Sequence, residues 1–326
     1  MKDSVAENLP VSHAGLALAK APLDEAAIAR WSHPATILIA TDLTDLDRLM
    51  EFAQLEAAET GARLLLLHVL SVSASMAADA AGMPYYDPFG ALEFIAKGLE
   101  NLCFPLRQRG IVCEALVREG NAAQQIGAVA RQFKADRLIV GTRSRSKLGK
   151  LLLGSVAEQV LSSVTLPVMT VGPEAHSPAG GAAGERVVLY ATVLGASSRM
   201  GAMLAGRIAA SQGAKLALIH VLPPTDRFST EGVGRDGQPA GQDSVAAHQM
   251  RLLAEETAGW CGAEVQTHVV HGNPVVEILA EAAERRASMV VLGVRHRSFF
   301  EDLTRDSTIC RVLAHARCPV LTLRED

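Results

Sequence analysis

The chain has 326 residues, of which 49% are apolar and 20% are charged, and its formal net charge is -4 at pH 7. This length predicts two domains that each bury a core, and the composition excludes a disordered chain. The small acidic excess argues against a protein organised around nucleic-acid phosphates. Five cysteines without C-x-x-C spacing give no zinc signature and favour a reducing compartment. The first residues do not read as a secretory signal and no apolar run is membrane-sized, so we expect a cytoplasmic protein.

Residues 1–33 precede the first predicted strand, and Pro22 interrupts their short apolar stripe, so we interpret them as an adaptable extension. Strand-sized apolar runs then alternate with segments of helical spacing. They predict strand 36–40, helix 46–60, strand 63–70, helix 92–109, strand 112–117, helix 122–133, strand 137–140, helix 155–164 and strand 168–171. Continuously apolar strands that alternate with helices indicate a parallel sheet covered on both faces.

The second half of the chain repeats the first at an offset of 152 residues. Gly61-Ala62 returns as Gly213-Ala214, and Pro167-Val168 returns as Pro319-Val320. We interpret the offset as free of gaps from residue 36 to 323, which indicates a duplicated domain. The predicted organisation is an N-terminal extension over 1–33, a first domain over 34–172, a Gly- and Pro-rich linker over 173–185 and a second domain over 186–326.

The loop after the fourth strand of the first repeat favours a phosphate ligand. Gly141 and Gly154 would let a ligand approach the backbone, and a helix from Ser155 would present free N–H groups and its positive dipole end. Four cations lie within eight residues, and no acid occurs from residue 137 to 157: Arg143, Arg145, Lys147 and Lys150. A second reading stays open, because Ser155 and Glu158 have the S-x-x-E spacing of a capping box, and loop cations are often only solvated.

These features together resemble the universal stress protein family. One apolar strand ends in Asp42, another ends in His68-Val69, and Gly120-Asn121 forms a turn. The loop reads Gly141-x-x-Ser144, then nine residues, then Gly154-Ser155. Nucleotide-binding members of the family carry G-x-x-G, nine residues and G-[ST], so Ser144 departs from the second glycine. The resemblance covers nearly all of residues 36–323 and identifies the chain as a tandem member.

The resemblance implies an α/β fold of two tandem Rossmann-like domains, of the kind called adenine nucleotide alpha hydrolase-like. Each would be a five-stranded parallel sheet with helices on both faces. It also implies that the last strands of the two repeats, 166–171 and 319–323, pair or face each other. One chain would then mimic the dimer of single-domain members, and a further homodimer stays open.

For the first domain the resemblance implies bound ATP or a related adenine nucleotide, and it leaves open an accompanying Mg²⁺ ion. Asp42 would contact the adenine or ribose end, with Ala40, Thr41 and Val69 lining that pocket. Val140 and Gly141 would flank the ribose. The phosphates would lie against Arg143, Ser144 and Arg145 and against the N–H groups of Gly154, Ser155 and Val156.

The second repeat differs at these positions. At the offset of 152, Asp42 becomes Leu194, Ser144 becomes His296 and Gly154 becomes Asp306, and the loop gains Glu301 and Asp302. A carboxylate at a helix start stabilises that helix and takes the place of a phosphate. The second domain is therefore predicted to keep the fold and to lack the nucleotide.

No motif in the chain positions a nucleophile or an attacking water, so we assign no catalytic or metal-ligating residue and expect at most slow ATP hydrolysis. The leading hypothesis is a cytoplasmic stress-response module that binds nucleotide in its N-terminal domain and acts through protein partners. The alternative is a nucleotide-free tandem protein that serves as an interaction scaffold. A slow ATPase is the third hypothesis.

Overall fold

The computed structural model describes residues 23–70, 88–142, 153–176, 186–195, 198–224, 242–295 and 307–325. The helices are α1 Glu25–Ser32, α2 Leu46–Thr60, α3 Pro88–Gln108, α4 Ala122–Gln132, α5 Ser155–Ser163, α6 Ser198–Ser211, α7 Gln242–Cys261, α8 Pro274–Glu284 and α9 Thr308–His315. The strands are β1 Thr36–Thr41, β2 Arg63–Leu70, β3 Cys113–Glu119, β4 Arg137–Gly141, β5 Val168–Val171, β6 Val187–Ala191, β7 Lys215–Leu222, β8 Val265–His271, β9 Met289–Arg295 and β10 Val320–Glu325. Each element predicted for the first repeat is present.

The strands form a single ten-stranded sheet in the order β3-β2-β1-β4-β5-β10-β9-β6-β7-β8. Neighbouring strands are parallel within each repeat, whereas β5 and β10 are antiparallel. The predicted α/β class is confirmed, and the last strands of the two repeats do pair. Because β5 and β10 are antiparallel, the strands of the two repeats run in opposite directions. The carboxyl ends of β1–β5 therefore lie on one side of the sheet, and those of β6–β10 lie on the opposite side.

Equivalent residues meet at the junction between the repeats. Met169 lies opposite Leu321, its counterpart at the offset of 152, and both side chains are buried. The Thr322 hydroxyl donates a hydrogen bond to the Val168 carbonyl at 3.2 Å. The contact is thus self-complementary, as it is in two-fold symmetric dimers.

Helices cover both faces of the sheet, because successive strand residues point to opposite sides. In β1, Ile37 belongs to the core layer beneath α2, α3, α6 and α7, whereas Leu38 belongs to the layer beneath α4, α5, α8 and α9. Each layer runs across both repeats. Central strands such as β1, β4 and β5 are therefore largely apolar and buried, which is the pattern from which the fold was predicted, whereas the edge strands β3 and β8 also carry exposed polar residues.

The first strands of the two repeats depart from the common offset. Thr36 of β1 lies opposite Arg63, whereas Val187 of β6 lies opposite Lys215, so these strands correspond at an offset of 151. The offset returns to 152 in α2 and α6, because the loop before α6 is one residue longer. Loops accept such insertions readily. The prediction of a gap-free offset is wrong at this point.

The shift changes which residue stands in the place of Asp42. The conformation after the strand confirms the new alignment, since Leu43 has φ +73° and Leu194 has φ +55°. The counterpart of Asp42 is therefore Val193, not Leu194. An apolar residue still replaces the carboxylate, so the predicted loss of a polar contact stands.

The described part of the N-terminal extension is a packed helix. Asp24 caps α1 by accepting a hydrogen bond from the Ala27 N–H at 2.9 Å, and Ile28 is fully buried. The helix packs against α6, which belongs to the second repeat. The interpretation as an adaptable extension is wrong for residues 23–33, because eight helical residues are too few to show a readable apolar period.

A buried ion pair fixes the end of this helix to the first repeat. Arg137 is 1% exposed and its guanidinium bonds to the carboxylate of Glu56 and to the carbonyl of Trp31. At the offset of 152, the same two side-chain positions in the second repeat hold Met289 and Ile208, which are buried and apolar. The two repeats therefore share a fold, but only the first has an ion pair at these two core positions.

Candidate functional site

A cavity of about 350 Å³ opens where β1 and β4 end, beside the N-terminus of α5. This is the carboxyl edge of the parallel strands, where open α/β sheets bind ligands. The lining residues are Ala40, Thr41, Asp42, Asp45, Leu67, Val69, Ala122, Ile126, Val140, Gly141, Gly154, Ser155, Val156 and Ala157. Its walls thus combine apolar side chains with two carboxylates and the start of a helix.

The cavity brings together most of the residues that the sequence predicted for a nucleotide. The predicted residues that line it are Ala40, Thr41, Asp42, Val69, Val140, Gly141, Gly154, Ser155 and Val156. Arg143, Ser144 and Arg145 lie outside the described residues, as do His296, Glu301, Asp302 and Asp306 of the second repeat. What these residues contact therefore stays a prediction.

The turn after β1 orients Asp42. Its Oδ1 accepts hydrogen bonds from the Thr44 backbone N–H at 2.9 Å and from the Thr44 hydroxyl at 2.6 Å. Aspartate favours such turns because its short carboxylate reaches the backbone two residues ahead. Asp42 is exposed and lines the cavity, so its position suits contact with a ligand.

Asp45 is a second carboxylate in the cavity, which the sequence prediction missed. It is the N-cap residue of α2, but its side chain makes no capping bond and instead accepts a hydrogen bond from the Thr41 hydroxyl at 3.2 Å. Burial raises the pKa of Asp45, and the charge of Asp42 raises it further. The signal available in the sequence was the second acid of Thr-Asp-Leu-Thr-Asp.

Asp45 also explains why residue 141 is glycine. A Cβ at position 141 would lie 1.6 Å from Asp45 Oδ2, so a side chain here would displace the carboxylate. The sequence prediction attributed Gly141 to the approach of a ligand. The nearest group in the structure is a carboxylate of the protein itself.

The N-cap residue of α5 provides no side-chain cap. The helix begins at Ser155, and its N-cap residue is Gly154 with φ -70° and ψ 146°, which has no side chain to accept a hydrogen bond from the first turn. The capping-box interpretation is therefore wrong, because the box needs serine at the N-cap and Ser155 is already inside the helix. The first-turn N–H groups lie at the cavity with Gly154, Ser155 and Val156.

The corresponding helix of the second repeat is capped by the equivalent serine. Ser307 precedes α9, and its Oγ accepts a hydrogen bond from the Cys310 N–H at 3.2 Å. In the turn after β6, Val193 occupies the position that Asp42 has after β1, and its side chain is 60% exposed. Two polar features that define the first cavity are thus altered in the second repeat.

The repeated histidines hold neighbouring strands together. His68 Nδ1 lies 2.9 Å from the Thr41 carbonyl oxygen, and His220 Nδ1 lies 2.8 Å from that of Thr192. In each case the imidazole donates from β2 or β7 to the end of the adjacent strand. This geometry gives the two histidines a structural role at the strand ends.

Within the residues that the structure describes, no cluster of three or more His, Cys, Asp or Glu side chains could hold a metal ion. No helix in the same part of the chain has the length and apolarity needed to cross a membrane.

Comparison with known proteins finds similarity to one family in both halves of the chain. The model of the universal stress protein family matches residues 35–172 and again residues 186–324. A universal stress protein of Mycolicibacterium smegmatis is 26% identical over 220 residues, which are 66% of this chain and 70% of that protein. One of Thermus aquaticus is 32% identical over 142 residues, which are 42% of this chain and 97% of that protein. The crystal structure of a universal stress protein from Archaeoglobus fulgidus has a TM-score of 0.62 and 21% identity, and the alignment covers 89% of this chain and 96% of that one.

Proposed function

The chain belongs to the universal stress protein family as a tandem member, and from this premise we propose that its first domain binds ATP or a related adenine nucleotide. The second domain keeps the fold and binds none. In this proposal the nucleotide sets the shape of a surface that protein partners recognise, and the protein acts in the cytoplasm as a stress-response regulator.

The observation that carries the proposal is the N-terminus of α5, whose N-cap residue is a glycine without a capping side chain, beside the cavity. Helix N-termini attract anions because their N–H groups lack partners and the helix dipole is positive there. Small-molecule sites usually enclose about 300–1,000 Å³, and the cavity falls within that range. Its apolar side, which includes Leu67, Val69 and Ile126, suits a planar base.

The residues fit a nucleotide that lies with its base toward β1 and its phosphates toward α5. Asp42 would accept hydrogen bonds from the ribose or adenine, between walls formed by Ala40, Thr41 and Val69. Val140 and Gly141 would flank the ribose. The phosphates would meet the N–H groups of Gly154, Ser155 and Val156 and the loop that contains Arg143, Ser144 and Arg145, and an Mg²⁺ ion would accompany them.

The two predicted domains have different roles in this proposal. Residues 34–172 would form the nucleotide-binding domain and residues 186–326 the degenerate one, joined by the linker over 173–185. In the second domain Val193 offers no hydrogen bond where Asp42 stands in the first. Asp306 replaces Gly154 there and would repel a phosphate.

Native mass spectrometry of the freshly purified protein tests the proposal. We expect one ATP or ADP per chain, and we expect Asp42→Val, which copies the second repeat, to lower the bound fraction. Two nucleotides per chain would contradict the assignment of the second domain. No nucleotide, even after Mg-ATP is added, would support the nucleotide-free scaffold instead. Phosphate release measured on the same samples tests whether bound ATP is hydrolysed.

A further inference from the structure

Two buried thiols lie against each other at the edge of the sheet. Cys103 lies on α3 and Cys113 begins the edge strand β3, and their exposed fractions are 0% and 2%. The Cys113 thiol donates to Cys103 Sγ, with the two sulfurs 2.7 Å apart. Contact between the two sulfurs is one requirement for a disulfide, whose S–S bond is about 2.05 Å long.

The surroundings distinguish the two thiols. The hydrogen bond from Cys113 lowers the pKa of Cys103, and the positive charge of Arg107 lowers it further, whereas burial and the charges of Glu100 and Glu114 oppose this. The same hydrogen bond and burial raise the pKa of Cys113. Cys103 is therefore the better nucleophile, since the thiolate is the reactive form.

Packing alone does not require sulfur at this place. At the offset of 152, the second repeat has Val265 at the position of Cys113, and the same helix–strand unit forms there. The other described cysteines are arranged differently: Cys261 Sγ donates to the Thr257 carbonyl, and Cys310 and Cys318 are buried, with no second sulfur against either of them within the described residues.

The turn next to the pair lies at the surface of the protein. The connection between α3 and β3 lies at the surface, where Val112 is 65% exposed. In addition, β3 is an edge strand of the sheet formed by the described residues and pairs with β2. Opening of this turn would expose both sulfurs without disturbing the centre of the sheet.

We propose that Cys103 and Cys113 form a reversible disulfide when the protein meets a hydroperoxide. The Cys103 thiolate attacks the peroxide, the O–O bond breaks, and an alkoxide or hydroxide leaves while Cys103 becomes a sulfenic acid. Cys113 sulfur then attacks the Cys103 sulfur, the S–O bond breaks, and water leaves with the Cys113 proton. The two cysteines together lose two electrons and the peroxide gains them. A dithiol reductant reverses the bond by thiol–disulfide exchange.

The wild-type chain tests the proposal directly. The folded protein is treated with hydrogen peroxide, quenched, unfolded and alkylated, and then studied by intact mass and peptide mapping. We expect two of the five thiols to escape alkylation in a single cross-link between Cys103 and Cys113, and dithiothreitol to restore them. Five alkylated thiols after treatment would overturn the proposal, and so would oxidation of Cys103 to a sulfinic acid without a cross-link.

Variants test the order of the two steps. Cys113→Val, which copies the second repeat, should leave Cys103 as a sulfenic acid that dimedone traps. The matched control Cys318→Ala removes another buried thiol and should form the 103–113 cross-link as the wild type does. Absence of a dimedone adduct in folded Cys113→Val would show that Cys103 is not the attacking thiol. If that variant does not fold, the wild-type cross-link still decides the proposal.

Discussion

The two repeats use the same serine in opposite ways. Ser307 stands before α9 and bonds to its first turn, whereas Ser155 lies inside α5, after a glycine N-cap that has no side chain. Both helices occupy the same place in the fold. The difference shows that this helix forms whether or not its N-cap residue supplies a capping side chain.

The cores of the repeats differ in a second respect. The first repeat buries the Glu56–Arg137 pair, and Arg137 also holds the carbonyl of Trp31 at the end of α1. The second repeat buries Ile208 and Met289 at the same positions. One chain therefore contains an ionic pair and an apolar pair at equivalent core positions. Substitutions can replace either pair by the other.

The largest effect is expected from Arg137→Met. Glu56 would remain buried without its partner, which costs about 3–5 kcal/mol in the free energy of unfolding. The double variant Glu56→Ile/Arg137→Met copies the second repeat and should recover most of this loss. Urea unfolding measures both variants. Equal instability of the single and double variants would show that the arginine is needed for its contact with Trp31 and not for charge balance.

Gly154→Asp should abolish nucleotide binding by the first domain. The backbone at Gly154 has a conformation open to any residue, so the aspartate would cap α5 and place a carboxylate where a phosphate is proposed. Repulsion of several kcal/mol lowers affinity by about a hundredfold or more, measured by isothermal titration calorimetry with Mg-ATP. Gly154→Ser, a neutral cap, is the control. Unchanged binding by the aspartate variant would show that the phosphates lie elsewhere.

Replacement of the two serines should separate their roles. Ser307→Ala removes a capping bond and is expected to cost about 1 kcal/mol, whereas Ser155→Ala in nucleotide-free protein should change stability by less than about 0.5 kcal/mol. Chemical unfolding of the two variants gives the comparison. Equal losses would mean that Ser155 also stabilises its helix.

The smallest expected effect concerns Asp45 and depends on pH. Its pKa in the folded protein is raised above 3.8, so the folded state holds this proton more tightly than the unfolded state does. The resulting stabilisation is present below pH 3.8 and is lost as the pH rises through the folded pKa. Asp45→Asn should therefore match the wild type near pH 3 and exceed its stability near pH 7. A difference between the two that does not vary with pH would contradict this assignment.

The sequence was sufficient for the sheet and for most of the cavity. Ile37, Leu38 and Ile39 are all apolar because both faces of β1 are covered, so a short apolar run identifies a central strand. The glycines and Asp42 were found because strand ends and helix starts carry recognisable residues. Features that repeat along the chain or obey a local spacing are readable in this way.

Other features depend on distances that the sequence does not contain. Glu56 and Arg137 are separated by 81 positions, and no local pattern pairs them. The extra residue before α6 does not alter the apolar pattern of β6. Only the pairing of Val187 with Lys215 shows that this strand is shifted by one residue. Whether Ser155 caps its helix depends on the backbone angles of Gly154, and a spacing rule cannot supply them.

The two sides of the contact between β5 and β10 can mutate independently of each other. In an assembly of identical chains, one coding sequence specifies both sides, so every substitution enters both sites at once. Here Met169 and Leu321 face each other but are encoded separately. A change that empties one site therefore leaves the other intact, while the shared contact continues to hold the halves together. Because both repeats lie in one chain, each can change independently of the other.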